Sequence, residues 1–377
     1  MRRPDYLSSA RCYALLVRLI YLHDHGERDR TELARGDRMT PLLEVADLRV
    51  SYCTSKGART MALGGVDLRL EAGETLGVLG ESGSGKSTLA TALLGMLPLS
   101  GRVESGAVRF MGRDLLTCDA PELRKIRGER VALIFQEPSQ ALHPALRVAE
   151  QVSDVLAAHK KLSRGALREK VMCVLASIFP TETERIAQSY PHQLSGGQRA
   201  RVLIAQAICC EPELIVADEP TASLDPETQL EILLLFGRLR QEFQISLIWI
   251  THNPALLAGF ADRVMVLYAG RVAEMGPTAE VLLSPRHPYT QALLRCLPPA
   301  ATGDVLAARK TALPVIRGEA ATALDADRCL FEPRCDERRQ VCGERRPAMT
   351  QLSSELGSGL GGGHAVSCVK YVSSMNS

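Results

Sequence analysis

Apolar positions along this chain recur in two periods, close to two residues and close to three and a half, and stretches of each alternate along its length. Leu43 to Ser51 alternates apolar with polar residues and predicts a strand. Glu74 to Leu79, Val131 to Phe135 and Ile245 to Ile250 are short apolar strands by the same reading. The run from Glu213 to Asp218 has the form of a buried parallel strand that ends in carboxylates. Helical spacing appears at Ser87 to Leu97, Val148 to His159, Ala166 to Phe179, Gln198 to Cys209 and from Tyr289 onward, with Pro180 closing the third. Two further strands, Arg263 to Tyr268 and Arg271 to Met275, meet at Ala269-Gly270, whose glycine supplies the turn. Alternating strands and helices predict an α/β fold with a mostly parallel core sheet.

Composition narrows what such a fold does. A chain of 377 residues can bury one large domain plus an appendage. The 45 basic and 43 acidic residues leave a formal net charge of +2, so no bulk electrostatic case exists for nucleic acid. Tryptophan occurs once, which argues against an aromatic stacking platform. No segment approaches the roughly 20 apolar residues that span a bilayer, so a membrane task would need separate membrane subunits. Met1-Arg2-Arg3 and the apolar run from Tyr13 to Tyr21 resemble a signal peptide. Arg18 interrupts the run, however, and no small-residue cleavage site precedes His23-Asp24-His25. Residues 1–38 are therefore expected to be a weakly structured extension, an artefact of start-site choice by hypothesis, ahead of a domain beginning at Met39.

The candidate chemistry begins between the second strand and the first helix. Gly80-Glu81-Ser82-Gly83-Ser84-Gly85-Lys86-Ser87-Thr88 fits a phosphate-binding loop, in which glycines let successive N–H groups turn toward phosphate oxygens. Lys86 and the helix N-terminus add positive potential, and Ser87 offers its hydroxyl to the magnesium ion of a nucleoside triphosphate. Asp218 suits the same magnesium shell, and Glu219 suits a base that polarises water.

Between these motifs, Tyr190 to Arg199 contains Leu194-Ser195-Gly196-Gly197-Gln198, which resembles the signature motif of the ATP-binding cassette ATPases. The resemblance implies a cassette with an antiparallel N-terminal β subdomain and a helical subdomain at about 137–195. It also implies that Ser195 to Gln198 cover a nucleotide held by a second cassette. Gln136 resembles the residue that senses magnesium and the attacking water, and His252 the switch histidine on the γ-phosphate. Tyr52 resembles the aromatic that stacks on adenine. Thr221 to Asp225 resembles the loop facing the partner cassette, with Ala222 and Ser223 in swapped order. Glu137 to Pro144 resembles the loop that receives a helix of the permease.

Pro285 to Leu294 narrows the resemblance to the ATPases of oligopeptide, dipeptide and nickel importers. Four of the eleven cysteines, Cys329, Cys335, Cys342 and Cys368, bunch in the tail behind this segment. Their spacing matches neither a zinc ribbon nor a familiar ferredoxin run. In the importer branch such a tail can hold a four-iron four-sulfur cluster. Zinc, with His364 replacing one thiolate, and no metal at all are the alternatives. A metal would staple a tail with little core of its own.

The expected organisation is thus an extension over 1–38, a cassette over 39–297 and a tail over 298–377. The expected function is MgATP hydrolysis for an oligopeptide or dipeptide importer at the cytoplasmic face of the cell inner membrane. Expected partners are a second cassette, two permease subunits and, indirectly, an extracytoplasmic binding protein. Nickel or metal-chelate import is the nearer alternative, and a soluble cassette acting on nucleic acid or ribosomes the remoter one.

Overall fold

The period-two segment at the start of the domain folds as strand β1 (Leu43–Cys53), and its pattern slips by one residue partway along. Leu43 and Val45 are buried, then Leu48 and Val50. A β-bulge causes the slip: the register shifts between Val45 and Leu48, and Asp47 takes φ 43°. Opposite it, Gly106 has φ 105°, and a Cβ there would lie 2.6 Å from the carbonyl oxygen of Asp47. The computed structural model describes residues 40–53, 57–137, 141–296, 315–319, 327–352 and 363–372. The expected extension over 1–38 lies outside the described residues, as do Pro138, Ser139 and Gln140.

Two compact units organise the described residues. The first draws on Met1–Leu70, Thr75–Asp114 and Thr251–Ser377, the second on Glu71–Glu74 and Leu115–Ile250. In the first unit, β1 pairs antiparallel with β2 (Arg59–Leu70). Strand β3 (Thr75–Leu79), buried at every position, leads through the glycine-rich loop into helix α1 (Lys86–Leu93). Strands β4 (Gly101–Phe110) and β5 (Arg113–Asp114) complete a 4-stranded antiparallel sheet in the order β2-β1-β4-β5.

The second unit begins with α2 (Ala120–Ile126) and β6 (Val131–Ile134). Helices α3 (Val148–His159), α4 (Arg164–Ile178), α5 (Thr183–Gln188) and α6 (Gly196–Ile208) follow and pack on one another. Val148, Val152 and Leu156 of α3, four residues apart, are buried, as are Val171, Val174, Leu175 and Ile178 of α4. Ser163 starts α4 by accepting the amide of Ala166, so the helix begins two residues earlier than the apolar pattern alone predicts. Strand β7 (Leu214–Asp218), helix α7 (Pro226–Phe243) and strand β8 (Ser246–Thr251) follow. Strands β6, β7 and β8 pair in parallel, with Val131 opposite Leu214 and Leu214 opposite Ser246.

The chain then returns to the first unit. Strand β9 (Arg263–Tyr268) lies parallel to β3 and antiparallel to β10 (Arg271–Pro277). Ala269 as well as Gly270 has positive φ at their turn, 44° and 74°. Helices α8 (Thr278–Leu283), α9 (Pro288–Arg295) and α10 (Gln340–Glu344) and strands β11 (Thr350–Gln351) and β12 (Ala365–Val366) complete the described elements. β12 extends the sheet edge by pairing with β10, Glu274 opposite Val366.

The cysteine-rich tail packs on neighbouring elements of the first unit. Phe331 packs its ring 5.3 Å from Tyr268, 5.4 Å from Tyr289 and 6.0 Å from His287. Leu330, Phe331, Cys342 and Cys368 are all buried. Apolar burial against β9 and α9 supplies what a short cysteine-rich segment lacks.

Candidate active site

The glycine-rich loop is shaped by close approach as well as by conformational freedom. A Cβ at Gly80 would sit 2.3 Å from the carbonyl oxygen of Leu267, and one at Gly85, where φ is 100°, 2.9 Å from that of Ala62. Gly85 is the N-cap of α1 and offers no side chain, so the first-turn amides have no side-chain acceptor. That is the geometry of an anion-binding helix start. Lys86 is 5% exposed, and its Nζ donates to the carbonyls of Gly80 at 2.8 Å and Glu81 at 2.9 Å. Both acceptors are neutral, so a phosphate oxygen is a stronger partner for the same ammonium.

Around this loop the first unit gathers two more of the expected residues. The hydroxyl of Tyr52 lies 3.2 Å from that of Thr88, which ties the expected adenine-stacking ring to the end of the loop. His252 is exposed and lines an open cleft of ≈ 510 Å³ together with Gly80, Glu81 and Ser82. Ser84 is buried and its backbone bridges outward, accepting from the amide of Gly270 at 2.8 Å.

The second unit holds the carboxylates. Strand β7 is buried through Asp218, and Glu219 then turns the chain with φ 47°, an unusual conformation for a residue with a side chain. Its amide donates to the carbonyl of Ile250 at 3.0 Å, which anchors the turn on β8. Gln136, just past β6, reaches the Glu219 carboxylate with its Nε2 at 3.4 Å. The two side chains expected to handle the attacking water are therefore neighbours.

The same unit shows how the Ser-Gly-Gly-Gln motif is built. Ser195 caps α6 by accepting the amide of Gln198 at 3.2 Å, and the Gln198 side chain accepts the amide of Ser195 at 3.1 Å. Leu194 is buried as the anchor, and Arg199 donates to its carbonyl at 2.6 Å. A Cβ at Gly197 would lie 2.6 Å from Cγ2 of Thr228 on α7. Asp225 caps α7 and accepts both the amide and the hydroxyl of Thr228, at 3.0 and 2.7 Å. Those hydrogen bonds, the hydroxyl's first, hold the Asp225 carboxyl below its ordinary range.

Two residues that sequence reading passed over touch the loop directly. Arg334 grips the Glu81 carboxylate with Nη1 at 2.8 Å and Nη2 at 3.0 Å, and the amide of Glu81 donates to the hydroxyl of Tyr289 at 2.9 Å. Arg334 lies just before Cys335 in a string noticed only for its cysteines. The available signal was Glu81 itself, since an acid within a phosphate-binding loop calls for a counter-ion.

The four tail cysteines share a neighbourhood. The amide of Cys329 donates to the carbonyl of Cys342 at 2.9 Å. Burial, with the other three thiols adding to it, pushes the Cys329 thiol up to about 11. Burial also raises Cys335 and Cys368. Yet among the described residues no group of three or more His, Cys, Asp or Glu side chains is arranged to hold a metal ion. His364, the alternative zinc ligand, is instead engaged by Glu274 and Glu280.

Comparison with known proteins places these features together. The family described as "ABC transporter" matches residues 63–222, and "Oligopeptide/dipeptide transporter, C-terminal region" matches residues 273–342. The chain is 40% identical over 307 residues to the oligopeptide transport ATP-binding protein OppD of Escherichia coli (strain K12), covering 81% of this chain and 89% of that one. It is 39% identical over 332 residues to the dipeptide transport ATP-binding protein DppD of Bacillus subtilis (strain 168), covering 88% and 95%. Among solved structures, the ATP-binding cassette MJ0796, dimeric in a post-hydrolysis state with ADP and Pi, matches with a TM-score of 0.56 at 30% identity. That match covers 63% of this chain and 98% of the cassette. The architecture is the expected α/β one, with a mixed, largely parallel core, an antiparallel N-terminal sheet and a helical subdomain. Among the described residues no helix is long and apolar enough to cross a membrane.

Proposed function

Since the chain belongs to the ATP-binding subunits of the oligopeptide/dipeptide ABC transporters, we propose that it binds MgATP on the loop from Gly80 to Thr88 and hydrolyses it to drive peptide import through separate permeases. It is the ATPase subunit of an oligopeptide/dipeptide importer. Amides from Ser82 to Thr88 and the Lys86 ammonium take the phosphates, and Tyr52 takes the adenine. Magnesium, when bound, would supply positive charge to offset that of the phosphates. Ser87, Asp218 and Gln136 are the residues that would hold it.

Hydrolysis transfers the γ-phosphoryl group to water. The bond from phosphorus to the bridging oxygen of ADP breaks, a bond to the water oxygen forms, and a water proton passes to the Glu219 carboxylate. Gln136 orients that water, while Lys86 and His252 stabilise the charge on the phosphoryl oxygens. Leu194 to Gln198 serve the nucleotide of a second cassette. The dimeric cassette with ADP and Pi supports that assignment, because its fold matches this chain over most of its own length.

The observation that carries the reading is Lys86, buried at the start of the helix that follows the glycine-rich loop, with its ammonium turned back onto that loop at the carbonyls of Gly80 and Glu81. We further assign the chain to the cytoplasmic face of the inner membrane, attached through the loop from Glu137 to Pro144 and the helices that follow. The division into an extension over 1–38, a cassette over 39–297 and a tail over 298–377 belongs to the same proposal. Purification of the full chain from its native membrane tests it. Two multispanning permeases and a second cassette should come with it, and a peptide-loaded binding protein should raise its ATPase rate. Copurifying ribosomes or DNA, or a rate raised by nickel chelates instead, would overturn the peptide-import reading.

A metal at the four tail thiols is supported by their shared neighbourhood. Full chain purified anaerobically with iron and labile sulfide in cluster stoichiometry would establish it. Colourless protein free of iron and zinc would remove it.

A further inference from the structure

Glu81 places a carboxylate inside a loop that receives anionic phosphates. Left alone it would repel the ligand and pull on the loop. Instead it is held at three points: its amide donates to the Tyr289 hydroxyl at 2.9 Å, its carbonyl accepts from Lys86 Nζ at 2.9 Å, and its carboxylate takes both Nη atoms of Arg334. Two of those three holds come from the C-terminal part of the chain. Tyr289 belongs to α9, and Arg334 to the 3-10 turn Glu332–Arg334 between Cys329 and Cys335.

Arg334 is fixed as well as charged. Its side chain is 6% exposed, against 27% for Glu81. Its Nε donates to the carbonyl of Arg317 at 2.9 Å, its Nη1 also approaches the Tyr268 hydroxyl at 3.3 Å, and its guanidinium lies 5.8 Å from the centre of the Tyr268 ring. The planar fork is thereby pre-organised, with nowhere else to go when nucleotide arrives. Tyr268, Tyr289 and Phe331 pack together around this point, so the turn that carries Arg334 is anchored in the core of the unit that carries the loop.

We propose that Arg334 is a positioning residue for the nucleotide site: it neutralises Glu81 and fixes the phosphate-binding loop, so that this chain's affinity for ATP depends on its cysteine-rich tail. The proposal rests on the reading that the loop from Gly80 to Thr88 binds ATP. A residue that merely supported the fold would lower stability when replaced and leave the affinity of the folded protein unchanged. A counter-ion to Glu81 behaves differently, because deleting the acid should relieve the loss of the base.

Calorimetric titration of the full chain with MgATP separates these cases. Arg334→Gln should raise the Kd on the order of tenfold, the size expected for one uncompensated charge near the ligand. Arg334→Lys, which keeps the charge and loses the fork, should raise it less. Glu81→Gln combined with Arg334→Gln should recover most of the loss. An unchanged Kd in Arg334→Gln, or a double variant no better than the single, overturns the role given to Arg334 while MgATP binding by the unmodified chain stands. An unmodified chain that does not bind MgATP overturns the ATP reading and this proposal with it. If Arg334→Gln does not fold, Arg334→Lys decides: weaker MgATP binding at an unchanged melting temperature supports the role, and unchanged binding overturns it.

Discussion

His364 Nε2 lies 2.6 Å from Oε1 of Glu274, and neither side chain reaches solvent. The other ring nitrogen is 3.2 Å from Oε2 of Glu280, so the imidazole bridges acids from β10 and α8. Glu274 also accepts the amides of Arg286 and His287, at 2.7 and 2.9 Å. One buried acid therefore joins the central hairpin, the start of α9 and the last strand of the tail. Burial alone would raise the Glu274 carboxyl, but His364, Thr290 and the two amides together hold it below its ordinary value.

Replacing His364 by Ala leaves that acid buried with fewer partners. Taking one hydrogen-bond partner from a buried polar group costs about 1–3 kcal/mol, the desolvation left uncompensated. Urea denaturation of His364→Ala should show a loss of about that size, and Glu274→Gln in the same background should return part of it. A loss below about 1 kcal/mol, the range of exposed pairs, would mean that the triad does not hold the tail in place.

The neighbouring His287 makes stability depend on pH. Burial pushes its imidazole down to about 4 from the ordinary 6.5, although the charge of Glu274 and a hydrogen bond with the backbone of Ser367 favour the protonated form. Its Nδ1 accepts the amide of Tyr289 at 3.0 Å, a bond that needs the unprotonated nitrogen. The unfolded chain takes up this proton near 6.5 while the folded chain resists until about 4. This contribution is therefore whole above 6.5 and is lost as pH falls toward 4, reaching about 3 kcal/mol over that window. Glu274, whose folded value is lowered, loses its contribution as pH falls below its ordinary 4.5, so the two add at the acid end. His287→Asn keeps an acceptor for the Tyr289 amide and removes the titration. Denaturation at a series of pH values should show a flatter dependence in that variant, and an unchanged slope would reassign the effect.

Glu219 combines a strained backbone with a neighbour suited to water. Glu219→Gln keeps the size and the φ 47° turn while removing the proton acceptor. MgATP affinity should stay within about twofold, since the phosphate loop is untouched, while kcat falls by roughly 10²–10⁴-fold, the usual contribution of a general base. Single-turnover hydrolysis measures both quantities, and a wild-type rate would refute the assignment.

Much of the parallel core and its loops was legible because each strand there is a continuous apolar run with chemistry at its end. β9 matches its predicted bounds, and β3, β6, β7 and β8 agree to within a residue or two. The elements that escaped notice lack that signal. β4 reads GRVESGAVRF, with exposed residues through its first half, and β2 carries two glycines within its apolar stretch. The long helix α7 has a clear cap at Asp225 and ends where Gln244 takes φ 54°, a stop that no glycine marked. At the site, the loop and the capped motif were legible from local spacing. The Arg334 clamp on Glu81 was not, because its partners lie 253 residues apart and only tertiary packing joins them.

Helix α7 offers an internal check on the second unit, since Trp249 is the only tryptophan in the chain. It is fully buried, with the Phe236 ring 5.1 Å away and nearly perpendicular at 83°. Phe236→Ala removes that edge contact and opens a cavity, which should cost about 3–5 kcal/mol. Tryptophan emission should shift to the red in the folded state, and an unshifted spectrum would mean that the cavity closes by repacking.

Gly197 shows why the Ser-Gly-Gly-Gln motif tolerates no side chain at its second glycine. An added Cβ would stand 2.6 Å from Cγ2 of Thr228, well inside contact distance. Thr228 cannot turn that methyl away cheaply, because its hydroxyl is bound to Asp225 Oδ2 at 2.7 Å and its amide to Oδ1 at 3.0 Å. Gly197→Ala must therefore separate the starts of α6 and α7, displacing Ser195 on one side and the loop from Thr221 to Asp225 on the other. Both segments are assigned to the partner cassette, and neither belongs to the loop from Gly80 to Thr88. MgATP binding by the single chain should persist, while ATP-dependent dimerisation, followed by sedimentation, and ATPase activity should fall by at least about tenfold, the equivalent of 1.4 kcal/mol. Thr228→Ser removes the methyl and keeps the hydroxyl on Asp225, so it should rescue Gly197→Ala. If Thr228→Ser fails to rescue, the clash with Cγ2 is not the cause of the loss.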